Sequence, residues 1–508
     1  MSEGRVIRTF QERLEIEKKL QALAEEQNPQ QRMAQAQSLA QHGQRLIPVI
    51  LRHLKTTDPL LRSALGLIAM HLPRDLIAPS LYQVVSDPQR SDQERIAALT
   101  ILDRFLGEDI EESMYAALRD PYAIMEQAVR ELTEHLPRMP EIIIDFVNQL
   151  EEEPPEVPLM LLDILDRFPG EHVFPILVAL AYDQRPNVAE PALHKLGQNP
   201  HPDALPTLLT LADVLPVPQK TIAERNARKL RLKGAASRTY SPTPWRTFAS
   251  APDIQGTQAF WLLRNEASSN LLISLLGNID LGLQFAFVLD DIPAEFIPPP
   301  STPDRIASIP LDISVNANER RIAWLKEVPV AHMRRWLKHL IAQNYSNEYT
   351  IPTMYRLNAT QFWQETQHEG IAEPPPLPEF THRTLPDPHH FFNHEAFILW
   401  SLIPERDPLE VYRETDRPLS IDTFYTVLRH IRANDFAEGT WHRLARRLLQ
   451  VAEWFTVIGD TRMATQTVTV AHFMRTTDYA ANPFAHVLVE RGVFEAFQRL
   501  RQEREETS

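Results

Sequence analysis

Residues 46–54, with the sequence LIPVILRHL, carry the pattern on which the fold prediction depends. Their apolar side chains recur at helical spacing around an early proline, which predicts an amphipathic helix. Similar segments return every 31–33 residues as far as Leu215. A unit of two short helices cannot bury its own apolar face, so a series of such units stacks side by side. The sequence therefore predicts an α-solenoid, with register positions at Pro48, Pro79, Glu112, Ile144, Pro175 and Pro206.

Asp-Pro pairs separate the two predicted helices in the early units. They occur at Asp58-Pro59, Asp87-Pro88 and Asp120-Pro121. The residue before a proline disfavours helix, whereas proline itself fits the first turn of the next helix, where its missing N–H costs nothing. Each pair therefore predicts the end of one helix and the start of another.

This arrangement resembles the HEAT-repeat family of the armadillo-type superhelix over residues 10–230. The resemblance is carried by LIPVILRHL, by LIAPSLYQVV at 76–85 and by HVFPILVALA at 172–181, together with the Asp-Pro turns. It implies a scaffold that binds another protein along a concave surface lined by the second helix of each unit. The partner contacts that this implies are Arg62, Arg95, Arg104, Glu126 and Arg130.

Composition excludes several classes of site. The chain of 508 residues has no cysteine, which excludes disulfides, thiolate metal ligands and cysteine nucleophiles. It has no glycine-rich phosphate-binding motif and no Gly-x-Ser-x-Gly nucleophile motif. The formal net charge of −15 lies mostly in residues 1–215, which argues against nucleic acid as the main ligand of that region.

The sequence also favours a cytoplasmic location. The segment Met1–Gln27 is charged and lacks the apolar stretch of a signal peptide. The chain also has no run of about 18 apolar residues, the length that a membrane-spanning helix needs. We therefore expect a cytoplasmic protein without a membrane partner.

The periodicity changes after residue 235. Two apolar runs, TQAFWLLRN at 257–265 and NLLISLLGN at 270–278, flank a polar tetrapeptide and predict a β-hairpin. The following LGLQFAFVLDD at 281–291 supplies either a third strand or a short helix. Helical stripes then resume at 330–344 and again after residue 420.

We therefore expect an all-α protein, a HEAT/armadillo-type α–α superhelix with a small β-hairpin insert and a helical C-terminal region. The predicted organisation is a solenoid at 1–235, a linker with a small β-containing insert at 236–300, a helical connecting region at 301–380 and a C-terminal helical region at 381–508.

A histidine-rich segment, HHFFNHE at 389–395, is the strongest candidate for chemistry. His390 and His394 share a face if the segment is helical, and His389 and Glu395 adjoin them, so zinc or iron is a possible ligand. The residue order differs from that of the metalloprotease helix, which has Glu directly after the first His. A metal-dependent enzyme or metal-binding protein is one alternative, and a polar loop before a helix at Ala396–Leu402 is the other.

The most basic stretch of the chain lies in Thr221–Lys233. Its cations predict either a site for phosphates or an acidic partner, or else a solvated helix face. No aromatic residues interleave for base stacking, which favours the solvated face. The basic side chains are Arg225, Arg228, Lys229, Arg231 and Lys233.

Taken together, these observations predict a non-enzymatic scaffold that needs no cofactor and binds a protein partner through an extended helical surface. Metal binding and nucleic-acid binding through Arg225–Lys233 are the two alternatives, and nucleic acid is the less expected ligand.

Overall fold

The computed structural model of the chain describes residues 15–24, 26, 29–56, 58–108, 110, 121–136, 142–265, 270–293, 296–302, 305–316, 319–380, 385–405, 407–413 and 417–507. Two compact units are present, Met1–Val173 and Phe174–Ser508. Each has its own arrangement of secondary structure.

The described part of the first unit is helical. Residues 15–24 form a helix. The next eight are α1 (Pro29–Ala40), α2 (Ile47–His53), α3 (Pro59–Met70), α4 (Arg74–Ser86), α5 (Asp92–Thr100), α6 (Pro121–His135), α7 (Ile142–Glu152) and α8 (Glu156–Leu165). A π-helical turn, Ile101–Phe105, continues α5, and α9 (Gly170–Ala181) contains the boundary between the units.

The predicted apolar stripe of residues 46–54 is buried, with Leu46, Ile50 and Leu54 almost fully inaccessible to solvent. These side chains belong to a core that continues through α3, α4 and α5. Helix formation in this unit therefore follows the periodicity from which it was predicted, because each helix buries one apolar face against its neighbours.

The Asp-Pro turns have different structures. Asp58 directly precedes α3 and is its N-cap. The Asp58 Oδ1 accepts a hydrogen bond from the Leu60 backbone N–H at 2.9 Å. After Asp87, by contrast, the next helix begins only at Asp92, where Ser91 and Glu94 form a capping box. The predicted register position Glu112 and the turn residue Asp120 lie outside the described residues.

The second unit combines helices with a sheet. It continues with α10 (Pro186–Leu196), α11 (Ala204–Val214) and α12 (Gln219–Leu232). The strands are β1 (Trp245–Ala249), β2 (Thr257–Asn265), β3 (Asn270–Asn278), β4 (Gly282–Asp290), β5 (Ser308–Asn316) and β6 (Glu319–Val328). Two helices follow, α13 (Val330–Ser346) and α14 (Thr353–Glu365).

The six strands form one antiparallel sheet in the order β4-β3-β2-β1-β6-β5. Helix α13 packs on one of its faces, where Phe260 of β2 meets Trp336 at 6.2 Å between ring centroids. The Asn344 side chain fastens the end of α13 to β4: its Oδ1 accepts from the Leu283 N–H at 2.7 Å, and its Nδ2 donates to the Leu283 carbonyl at 2.9 Å. Both backbone groups are thereby satisfied in a buried position.

The all-α prediction is wrong, because a six-stranded antiparallel sheet makes this a mixed α/β protein. The predicted hairpin corresponds to β2 and β3, and residues 281–291 contain the strand β4. Strands β1, β5 and β6 were not predicted, since β1 is only five residues long, β5 contains Pro310 and β6 carries charged side chains towards both ends. The described helices do not show the α–α superhelix that the sequence predicted.

The C-terminal part of the second unit is helical. It contains α15 (Pro388–Phe392), α16 (Glu410–Arg413), α17 (Ile421–His430), α18 (Thr440–Val457), α19 (Thr461–Thr476) and α20 (Pro483–Thr507). Two indole N–H groups attach this part to the sheet region: Trp454 donates to the Ala249 carbonyl at 3.1 Å, and Trp400 donates to the Pro252 carbonyl at 3.0 Å. No helix in the described residues is long and apolar enough to cross a membrane.

Candidate binding face

The face of the sheet opposite α13, here called the outer face, carries rows of apolar side chains. Side chains paired across neighbouring strands lie on the same face, so the strand register defines which residues share it. The rows across β2, β3 and β4 are Ala259, Leu276 and Phe285, then Trp261, Ser274 and Phe287, then Leu263, Leu272 and Leu289.

Strand β4 leaves its outer row open to solvent. Phe285 is 55% exposed, Phe287 43% and Leu289 42%, whereas Ala286, which points to the opposite face, is 9% exposed. Alternation of this kind is the ordinary pattern of a strand with one buried face, except that the solvent side here is apolar instead of polar. Neighbouring apolar side chains that are exposed together mark an interaction surface more often than single exposed apolar residues do.

A hollow of about 420 Å³ lies on the outer face beside this row. Its floor comes from β2, β3 and β4, and its wall from the segment that follows β4. Phe296 stands on that wall and is 66% exposed. Asp290 and Asp291 give the hollow an acidic rim, while its interior is apolar, lined by Trp261, Leu263, Leu272, Phe287, Leu289 and Ile297.

A second hollow, of about 290 Å³, lies between the sheet and the C-terminal region. Trp324 and Trp454 line it. Glu395 lies in its wall, where its Oε1 forms an ion pair with the Lys326 Nζ at 2.7 Å. Asp253 also lines it, and burial raises the pKa of this carboxyl. The Asp253 Oδ1 nevertheless serves the local loop, since it accepts backbone N–H groups of the residues two and four positions later at 2.9 and 2.8 Å.

The residues with which the HEAT resemblance implied partner contact already have intramolecular partners. Arg62 pairs with Glu131, and Arg104 with Glu153 at 3.3 Å. Glu126 pairs with both Arg130 and Arg167. Arg95 is buried and donates from Nε to the Val85 carbonyl at 2.8 Å. Each of these five side chains thus has a partner within the chain, and their contact with another protein stays a prediction from the resemblance.

The histidine-rich segment has structural contacts. His394 caps the short 3₁₀ turn Glu395–Phe397 by accepting the Ala396 N–H at its Nδ1, and its ring packs against Phe455. Burial lowers the pKa of this imidazole. His390 lies in α15, where its backbone N–H is capped by Asp387 at 2.8 Å.

The same segment does not form a cluster of metal ligands. His389 is exposed, with its Nε2 3.8 Å from Glu490. The Glu395 carboxylate is engaged by Lys326. Within the described ranges, no group of three or more His, Cys, Asp or Glu side chains is arranged to hold a metal ion.

Known proteins do not assign this chain to a family. No family model, curated protein or solved structure matches it. The HEAT resemblance therefore stays a prediction from the sequence, and the support for a function comes from the surfaces of the molecule.

The basic stretch lies on α12 and at its end, and its cationic side chains are exposed. Buried neighbours such as Ile222, Ala223 and Leu230 hold the opposite side of this helix against the protein. None of the five cations forms an ion pair with another residue in the part of the chain that the structure describes. They are Arg225, Arg228, Lys229, Arg231 and Lys233.

The outer face was not predicted from the sequence, although one signal for it is present. In LGLQFAFVLDD the apolar residues 285, 287 and 289 alternate with 286 and 288, which indicates a strand with two apolar faces. Such a strand is normally covered on both sides. That one side is uncovered depends on where α13 and the segment after β4 pack, which the local sequence does not contain.

Proposed function

We propose that this chain is a non-catalytic binding protein that holds an apolar, extended segment of a protein partner on the outer face of its sheet. The supporting observation is the exposed row of β4 beside an apolar hollow of about 420 Å³. Transfer of such side chains from water to an interface contributes about 25 cal/mol for each Å² removed. A cytoplasmic location without a cofactor belongs to the same proposal.

The geometry suits an extended peptide better than a helix or a polar ligand. Side chains that alternate along a bound strand match the spacing of the rows on β2, β3 and β4. In the hollow, Ser274, Asp290 and Asp291 are the polar side chains beside a mostly apolar lining, so shape and apolar area select the ligand. The acidic pair at the rim favours a partner with a basic residue next to its apolar segment.

A peptide library displayed on phage, selected against the intact chain, tests this function. We expect selected peptides to carry alternating apolar residues and to bind with dissociation constants in the micromolar range, about −8 kcal/mol. Phe296→Asp places a charge on the wall of the hollow and should weaken binding at least tenfold, as measured by fluorescence anisotropy.

Ile421→Asp is the matched control, because Ile421 is 75% exposed on α17, which does not line the hollow. This variant should bind like the wild type. Selection of no peptides, or equal loss of binding in both variants, would contradict the proposal.

Nucleic-acid binding through α12 is a second candidate function, supported by the exposed cations between Arg225 and Lys233. Five phosphate contacts would make duplex affinity fall roughly 500-fold between 50 and 200 mM salt. Retention on immobilised DNA at the lower salt, lost in an Arg228→Glu, Lys229→Glu double variant, is the expected result for this candidate. Equal retention of the two proteins would exclude it.

A further inference from the structure

Strand β4 lies at one edge of the sheet and pairs with β3; no other described strand pairs with it. Edge strands present backbone N–H and C=O groups to any extended chain, and natural proteins protect such edges with proline, charge or bulges. The opposite edge, β5, is protected in this way by Pro310 and Asp312. Between Gly282 and Leu289, β4 has neither a proline nor a charged residue.

The irregular part of β4 lies at its beginning. The register with β3 shifts between Leu276 and Gly277, and Asn344 occupies the backbone groups of Leu283. From Phe285 to Asp290 the pairing with β3 is regular, with residues 286, 288 and 290 opposite 275, 273 and 271. This regular part is the segment that can accept another strand.

The regular part of β4 is complementary to itself. If two copies run antiparallel with Phe287 at the centre, Phe287 faces Phe287 and each Phe285 faces Leu289 of the other copy. Directly opposed side chains share a face, so all three pairs on the outer face are apolar. On the other face Ala286 meets Val288, and no position between 285 and 289 brings two charges together.

We propose that two copies of this chain pair through β4, antiparallel and centred on Phe287, to form one continuous sheet. Such an interface is isologous, as two-fold symmetric dimers require. A second copy is favoured over an unrelated strand because every apolar position of the segment finds an apolar partner in the same segment. One strand pair is smaller than a standard interface of about 800 Å² per partner, so the dimer is weak, with a dissociation constant in the micromolar range.

The pairing has a consequence for the outer face. A two-fold axis perpendicular to the sheet keeps both outer faces on the same side, so the two hollows open in one direction. A partner with two apolar segments would then bind twice, with its second segment at a raised effective concentration. The dimer does not depend on the proposed function, because a monomer can still bind a peptide in its hollow.

Cysteine cross-linking tests the register, and the chain is suited to it because it has no cysteine. Residues opposed across an antiparallel pair have Cα atoms about 4.5–5.5 Å apart, within the range that a disulfide needs. Phe287→Cys alone should therefore yield a disulfide-linked dimer on mild oxidation. Phe285→Cys alone should not, since two copies of position 285 are about 13 Å apart along the strands, whereas Phe285→Cys with Leu289→Cys should cross-link.

Sedimentation equilibrium of the cysteine-free chain provides the second measurement. Wild type should show a monomer–dimer equilibrium, and Phe285→Lys should raise the dissociation constant at least tenfold. Phe296→Lys, an exposed aromatic outside the strand, should leave it within twofold. A monomeric wild type at 100 μM, or cross-linking of Phe285→Cys as efficient as that of Phe287→Cys, would overturn the proposal, while peptide binding sensitive to Phe296→Asp would survive.

Discussion

Glu365 shows how single residues hold the sheet to its helices. Its carboxylate, 3% exposed, accepts two hydrogen bonds from Arg264 of β2 at 2.7 Å each and one from the Trp245 indole N–H at 2.8 Å. Removing one partner of a buried ion pair leaves the other charge uncompensated. We expect Glu365→Ala to lower the free energy of unfolding by about 3–5 kcal/mol, measured by urea titration with tryptophan fluorescence.

Glu373→Ala is the control for this substitution, because Glu373 is exposed in the segment that follows α14. Its effect should stay within about 0.5 kcal/mol, the usual range for surface changes. Equal midpoints for wild type and Glu365→Ala would show that the buried pair contributes little to stability.

His394 is expected to make the stability of the folded chain sensitive to acid. Burial lowers the pKa of the folded imidazole, so the unfolded chain takes up a proton first as the pH falls below about 6.5. This contribution to stability is complete above that pH and decreases as the pH falls through the window between the two pKa values. His394→Asn keeps an acceptor for the Ala396 N–H and removes the titration.

We therefore expect the loss of stability between pH 7 and pH 5 to be smaller in His394→Asn than in the wild type. Urea midpoints at the two pH values provide the measurement. The exposed His389, changed to Asn, is the comparison and should retain the wild-type loss. An unchanged pH dependence in His394→Asn would assign the acid sensitivity to other groups.

At the scale of elements, the contact of β3 with α13 depends on the absence of a side chain. A Cβ at Gly277 would stand 2.5 Å from the Leu340 Cδ1, closer than packed carbons allow. Gly277→Ala should cost about 1–3 kcal/mol through this overlap. Leu340→Ala should cost about 2–5 kcal/mol through the cavity that it leaves.

The two substitutions together should cost less than the sum of their separate effects, because removing the leucine methyl groups makes room for the new Cβ. A double-mutant cycle in urea measures this coupling. Strict additivity would mean that α13 moves away from the sheet in Gly277→Ala, so that Leu340 no longer restricts the site.

Elements with a strong local apolar pattern were predicted, and strands that are short, charged or interrupted by proline were not. Strands β2 and β3 coincide with the two apolar runs because polar residues bound each run on both sides. Strand β6, ERRIAWLKEV, carries charges at both ends and pairs with its neighbour β5 and with β1, 77 to 81 residues earlier. The outer face depends on which side of the sheet stays uncovered, and this is decided by packing between elements distant in sequence.

At the scale of the whole molecule, the repeat spacing describes helices but not the limits of the compact units. Helices α10 to α12 continue the predicted series, yet they belong to the unit that contains the sheet. There, the Thr207 hydroxyl meets the Thr360 hydroxyl of α14 at 3.2 Å, and Gln364 donates to the Thr210 hydroxyl at 3.0 Å. The repeat pattern does not indicate which later element its last helices contact. The packing of α11 on α14 therefore could not be predicted from it.

Net charge gives the dimer proposal a test that needs no substitution. Each copy carries a formal net charge of −15, and Asp290 and Asp291 stand at the end of β4 in both copies, so like charges repel each other over about 30 Å at 0.01 M salt and about 10 Å at 0.1 M. The β4 seam is uncharged from Gly282 to Leu289, so added salt screens this repulsion without weakening any ion pair in the seam. The dimer dissociation constant should therefore fall, on the order of threefold, between 20 and 500 mM sodium chloride.

The direction of this change separates two ways of self-association. A dimer held by the cations of α12 on an acidic surface of the other copy would lose its attraction as salt rises, and its dissociation constant would increase. Sedimentation equilibrium at both salt concentrations, with the Arg228→Glu, Lys229→Glu variant run in parallel, distinguishes them. Pairing through β4 requires that the dimer dissociation constant of the wild type fall as the salt concentration rises. The Arg228→Glu, Lys229→Glu variant should change this constant only through the repulsion that its additional negative charges cause.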